Sequence, residues 1–138
     1  MFRPSTLRAP SPRSPLALAA ILAVALGAAA APALAHHGWS WAEGEKMTLT
    51  GTIRAISMAP PHPTLQVAAQ DGTVWRVDLG NPRQTENSGF TADTAKPGDA
   101  ITVLGNRSRD ASQAHMKAVR ITIAGKNYDM YPERIGDG

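Results

Sequence analysis

"TLQVAAQDGTVWRVDL", residues 64–79, decides the fold. Two apolar, β-branched runs, Thr64–Ala69 and Thr73–Leu79, flank Asp71-Gly72. Asp-Gly between such runs is a strong hairpin signal, because glycine accepts the left-handed backbone that a tight reversal needs. An antiparallel pair therefore sits at mid-chain. Upstream, "MTLTGTIRAISM" (Met47–Met58) alternates Leu49, Gly51, Ile53 and Ala55 against Thr48, Thr50, Thr52 and Arg54, the period of two of a half-buried strand. "APPHP" (Ala59–Pro63) ends it, since proline supplies no ladder donor.

Downstream the texture changes. In "NPRQTENSGFTADTAKPGD" (Asn81–Asp99), Asn81 followed by Pro82 suits a helix start, and Gly89 suits its close. Phe90 is placed to plug the core, and Thr91–Ala95 reads as a second helical turn before the Lys96–Asp99 reversal. "AITVLGNR" (Ala100–Arg107) and "MKAVRITI" (Met116–Ile123) are two more strands, separated by a polar loop holding Asp110 and His115. "YDMY" adds a short edge strand, and "PERIGDG" reads as a frayed polar tail. Three strands, a short helix and two strands predict a mainly β fold: a small OB-like five-stranded antiparallel barrel with one helix after the third strand.

The start of the chain is of another kind. Residues 1–15 carry Arg3, Arg8 and Arg13 and no acid, Leu16–Ala31 is almost wholly apolar, and Ala33-Leu34-Ala35 has the small-x-small form of a cleavage site. This is the pattern of a secretory signal peptide. The apolar run is short for a membrane-spanning helix, so no membrane anchor is expected after cleavage. Without an Arg-Arg pair the general secretion route is expected, with delivery to the periplasm. The predicted organisation is a cleavable signal over 1–35, an arm over 36–46, the β domain over 47–130 and a tail over 131–138.

Removing the signal alters the charge argument. The formal charge of +3 comes from 14 basic and 11 acidic residues, and three of the arginines lie in 1–35. The mature chain is balanced, so the basic excess says nothing about nucleic acid. Single-strand binders pair a basic groove with stacking aromatics, and neither is expected here. The chain has no cysteine, which excludes disulfides and thiolate ligands.

"HHGWSW", "LTGTI", "DGTVWRVDL", "SGFTADTAKPGDAITVLG" and "MKAVRITIAGK" together resemble domain-of-unknown-function family 6152 over nearly the whole mature chain. The resemblance implies an exported proteobacterial protein whose mature form begins His-His, and it carries no activity. Where such proteins read Asn-Pro-His after the first strand, this chain reads Pro60-Pro61-His62, which leaves no role for that Asn side chain.

Four histidines are the candidate ligands: His36, His37, His62 and His115. Cleavage after Ala35 gives His36 a free α-amine of pKa about 8 beside its own imidazole, a chelating nitrogen pair suited to Cu(II). His37 offers a third nitrogen. His62 and His115 offer a way to close the site, and Met47, Met58 and Met116 offer soft thioethers for Cu(I). The competing reading is a metal-free module that binds a small ligand or a periplasmic partner protein through Trp39, Trp41 and Trp75. Asp71, Asp99 and Asp110 read as turn formers. No nucleophile elbow, His-Glu-x-x-His or phosphate loop occurs, so a non-catalytic binding or accessory module is expected, with copper as its possible cofactor.

Overall fold

A computed structural model describes residues 38–42 and 44–136. The expected signal segment, His36 and His37 lie outside the described residues. In chain order the elements are β1 (Lys46–Ser57), β2 (Thr64–Ala69), β3 (Val74–Asp78), α1 (Pro82–Asn87), β4 (Ala100–Arg107), β5 (His115–Ile123) and β6 (Lys126–Asp129). Single 3-10 turns, Ser40–Ala42 and Pro132–Arg134, flank them. Among the described residues no helix is long and apolar enough to cross a membrane.

The mid-chain hairpin forms as its sequence dictates. Val67 faces Trp75 and Ala68 faces Val74 across it. The loop runs through Gln70, Asp71 and Gly72, with Gly72 at φ +86°, one residue longer than an Asp-Gly turn alone requires. The Thr73 amide donates to Asp71 Oδ1 at 2.9 Å, so Asp71 has the turn-forming role expected of it.

The strands run in the order β3-β2-β1-β4-β5-β6, and a further β3–β5 pairing closes the first five into a barrel. That closure is parallel, pairing Arg76 with His115, Val77 with Met116 and Asp78 with Lys117. An all-antiparallel five-stranded barrel is thereby corrected, and the reason is topological. Strand directions cannot alternate around a closed ring of five, so one junction must be parallel. α1 lies between the third and fourth strands as expected, with Asn81 and Gln84 making a reciprocal capping box. Residues 91–95 form only a turn, with the Thr94 amide on the Thr91 carbonyl.

Leu49, Ile53, Leu65, Val67, Val77, Leu79, Phe90, Ile101, Val103, Met116 and Ile121 form the buried core. The alternation predicted for β1 holds only to Ile53. Ile53 faces Val67 while Ala55 faces Gln66, so Arg54 is an extra residue. This bulge reverses the phase, exposing Ala55 and turning Ile56 onto the core. A second bulge on β5, at Val119, buries four successive residues from Met116 to Val119. The Val119 carbonyl accepts from the amides of Met130 and Tyr131, which brings the end of the chain onto the outside of β5. Tyr131 is buried and Ile135 packs on the core, so the segment expected to fray is docked this far.

Gly51 shows how closely the strands approach. A Cβ built there lands on the Ala68 carbonyl oxygen, and rigid backbone cannot move aside as a flexible side chain would. Gly51→Ala is expected to destabilise the barrel by about 1–3 kcal/mol, read as a lower urea midpoint at unchanged slope.

Candidate functional site

The parallel seam between β3 and β5 builds a polar cluster on the outside of the barrel. Val77 points inward, so Arg76 and Asp78 point outward. The pairing of Asp78 with Lys117 and Arg76 with His115 sets two more polar side chains beside them. His62 arrives from the other side. Thr64 pairs with Asp78, and the Leu79 amide holds the Pro63 carbonyl at 2.9 Å, so the Pro60–Pro63 loop ends over the same carboxylate.

Asp78 is the hub, with a side chain only 3% exposed. Its Oδ1 accepts from Arg76 Nε at 2.9 Å. Its Oδ2 lies 3.0 Å from His62 Nε2 and 3.2 Å from His115 Nε2. Burial disfavours the charged carboxylate, yet the His62 and Arg76 hydrogen bonds and the nearby His115 outweigh it and hold Asp78 below the ordinary carboxylate range. His115 Nε2 is close to Oδ2 but poorly aimed at it, and it is one of two buried side-chain nitrogens without a hydrogen-bond partner among the described residues. The other is Arg107 Nε.

The N-terminal arm lies over this seam. The Trp41 ring stacks on the His115 imidazole at 3.9 Å and 15°. Two residues earlier, the Trp39 ring lies 5.4 Å from Lys117 Nζ and meets Tyr131 edge-on at 4.8 Å. Successive outward positions of β5 are therefore covered by successive tryptophans of the arm. Main-chain bonds from the Gly44 amide to Arg107 and from the Arg109 amide to Trp41 extend the β1–β4 pairing along it. Lys117 is buried under the arm, and desolvation lowers its pKa despite the attraction of Asp78. Beside the stack opens a cleft of about 420 Å³ lined by Trp41, Ser108, Arg109, Asp110, Gln113 and His115.

His62 and His115, 53 positions apart in the chain, thus converge on one carboxylate. His115 opens β5 instead of lying in the preceding loop. The three tryptophans do not form one face: Trp75 carries Arg107 at 5.5 Å from its ring, away from the Trp41 stack. Met116 is wholly buried in the core and is no neighbour for a ligand on His115. Asp78 and Lys117 are the residues that sequence reasoning passes over. The legible signal is Arg76 and Asp78 at i and i+2 in "VWRVDL", a charged pair on one strand face, but the pattern does not show what covers it. Among the described residues no three His, Cys, Asp or Glu side chains are arranged to hold a metal ion by themselves.

Comparison with known proteins gives a family and little else. Residues 23–117 match a family of unknown function (DUF6152). No curated protein matches the chain. Among solved structures, the ZRD-deleted mutant of TiaS in complex with agmatine is similar at 13% identity and a TM-score of 0.47. The alignment covers 62% of this chain and 26% of that one, so this chain corresponds to about a quarter of its length.

Proposed function

The chain belongs to this family of unknown function (DUF6152), so its role rests on its own side chains, and we propose that it is an exported, periplasmic, non-catalytic module that binds copper. The ligands are the α-amine and imidazole of His36, freed by removal of residues 1–35, with His37 and with His62 or His115 completing the set. The observation that carries this reading is the convergence of His62 and His115 on Asp78 where the arm docks. Metal-bound histidines commonly give their second ring nitrogen to a carboxylate, which fixes the ring and raises its basicity. Asp78 has that role toward His62, whose Nε2 is hydrogen-bonded to Oδ2 at 3.0 Å, so Nδ1 of His62 is the nitrogen left for a metal.

The arm supplies proximity. Trp41 lies five positions after His36, a tether of at most about 18 Å, and Trp41 itself lies on His115. The second reading, a metal-free module, is favoured by the cleft beside Trp41, whose size suits a small planar ligand.

Calorimetric titration of Cu(II) into protein processed at Ala35, beside a copy with one extra residue before His36, separates the two. Copper binding is expected to weaken at least about tenfold in the extended copy, the equivalent of about 1.4 kcal/mol. Equal, weak binding by both would overturn the copper reading and leave the cleft.

A further inference from the structure

We infer that the cleft beside Trp41 binds a planar aromatic carboxylate, its ring on the indole and its carboxylate on Arg109. The inference deepens the second reading above, a module that binds a small ligand, and rests on it. The cleft holds about 420 Å³, within the span of about 300–1,000 Å³ of small-molecule sites. Its wall has an aromatic part and a polar part, and each restricts the ligand differently.

The aromatic part comes from the arm and β5. Trp41 and His115 stack at 3.9 Å and 15°, and both line the cleft. Trp41 stays partly exposed there. A flat ligand laid on it removes apolar area from water and gains contact between rings.

The polar part is the loop over 108–114, which is assembled before any ligand arrives. Asp110 Oδ1 accepts from the amide and the hydroxyl of Ser112 at 3.0 and 2.6 Å, and Oδ2 accepts from Gln113 Nε2 at 3.1 Å. Ser108 Oγ accepts from the Asp110 amide at 3.1 Å. From outside, Arg107 Nη2 donates to the Ala111 carbonyl at 2.9 Å, and the Ser108 amide donates to the His115 carbonyl at 2.8 Å. A wall held in this way needs little further ordering on binding.

The same bonds decide the sign of the charge. Asp110 commits both oxygens to its own loop, and Asp78 commits both to Arg76 and His62. β3, the end of β4, the loop and the start of β5 carry Arg76, Arg107, Arg109 and Lys117 against these two acids, so the frame of the cleft attracts an anion. Arg109 lines the cleft itself, and its amide donates to the Trp41 carbonyl at 2.9 Å, which fixes it beside the indole. A guanidinium offers five donors in a planar fork that matches a carboxylate. Ser108 Oγ has its hydroxyl proton to give to the second oxygen.

The test is calorimetry of the processed protein, with EDTA present to exclude copper, using probes of one shape and different charge: 2-naphthoate, 2-naphthamide and 2-naphthamidine. The expected Kd for the naphthoate is at least about tenfold below those for the other two. Arg109→Gln is expected to abolish that preference, Arg109→Lys to keep most of it, and Trp41→Leu to weaken all three at least about tenfold. Equal Kd values, tighter binding of the amidine, or a naphthoate preference that survives Arg109→Gln overturns the inference and leaves a cleft for planar ligands. Absence of binding by every probe, or binding unmoved by Trp41→Leu, overturns the cleft reading and the inference together.

Discussion

Asp78→Asn is expected to unfold at a temperature lower by roughly 12 °C, corresponding to about 3 kcal/mol in a domain of this size. The substitution keeps the shape of the side chain and removes its charge. Arg76 Nε then faces an amide, and Lys117, buried opposite on β5, loses the neighbouring negative charge that favours its ammonium form. Removing one partner of a buried charged cluster costs more than the net worth of the cluster, because the others stay desolvated. The seam is also the shortest junction of the barrel, with three register pairs against seven between β1 and β4. Asp129→Asn is the contrasting case. Asp129 holds Arg120 by two hydrogen bonds, but both side chains are about one-third exposed, and an exposed pair contributes at most about 1 kcal/mol.

The pH dependence follows from the direction of the Asp78 shift. A carboxyl whose folded pKa lies below its unfolded value, about 3.9, stabilises the fold above that value, and the contribution is lost as pH falls through the folded pKa. Wild type and Asp78→Asn are therefore expected to differ fully near neutrality and to converge below about pH 4. A constant difference from pH 7 to pH 3 in urea titrations would show that the loss is steric and not electrostatic.

What the sequence makes legible is local. Thr64–Ala69 and Ala100–Arg107 begin and end where their patterns predict, because turn chemistry and side-chain period act within a few residues. The phase of β1 beyond Ile53 is not legible. A bulge is decided by the partner strand, and Arg54 carries no mark of being the extra residue. The parallel closure is non-local in the same way, since it joins β3 to β5 across α1 and β4. The candidate site inherits that difficulty. The histidines are conspicuous by their rarity, but Asp78 gains its meaning only when the Thr64–Asp78 and Asp78–Lys117 pairs bring His62 and His115 onto it.

The arm carries the second large effect. With Trp39 and Trp41 both replaced by alanine, Cu(II) affinity is expected to fall by about 100-fold, because joining two partial sites through a docked tether strengthens binding by roughly 10²–10⁴-fold. Trp41 lies on His115 and Trp39 on Tyr131 and Lys117. Trp39 packs against the edge of the core, so the double variant also loses some packing there. The arm is then held only by its main-chain bonds to Arg107 and Arg109, and the His36 amine samples a larger volume than it does from a docked Trp41. Trp41→Phe alone keeps a ring on His115 and is expected to retain affinity within about threefold of wild type, a small fraction of the tethering effect. Circular dichroism of the double variant distinguishes a loosened arm from an unfolded barrel. A folded double variant with unchanged copper affinity would mean that the N-terminal chelate works without the seam, and that His62, Asp78 and His115 hold the barrel closed without serving the metal.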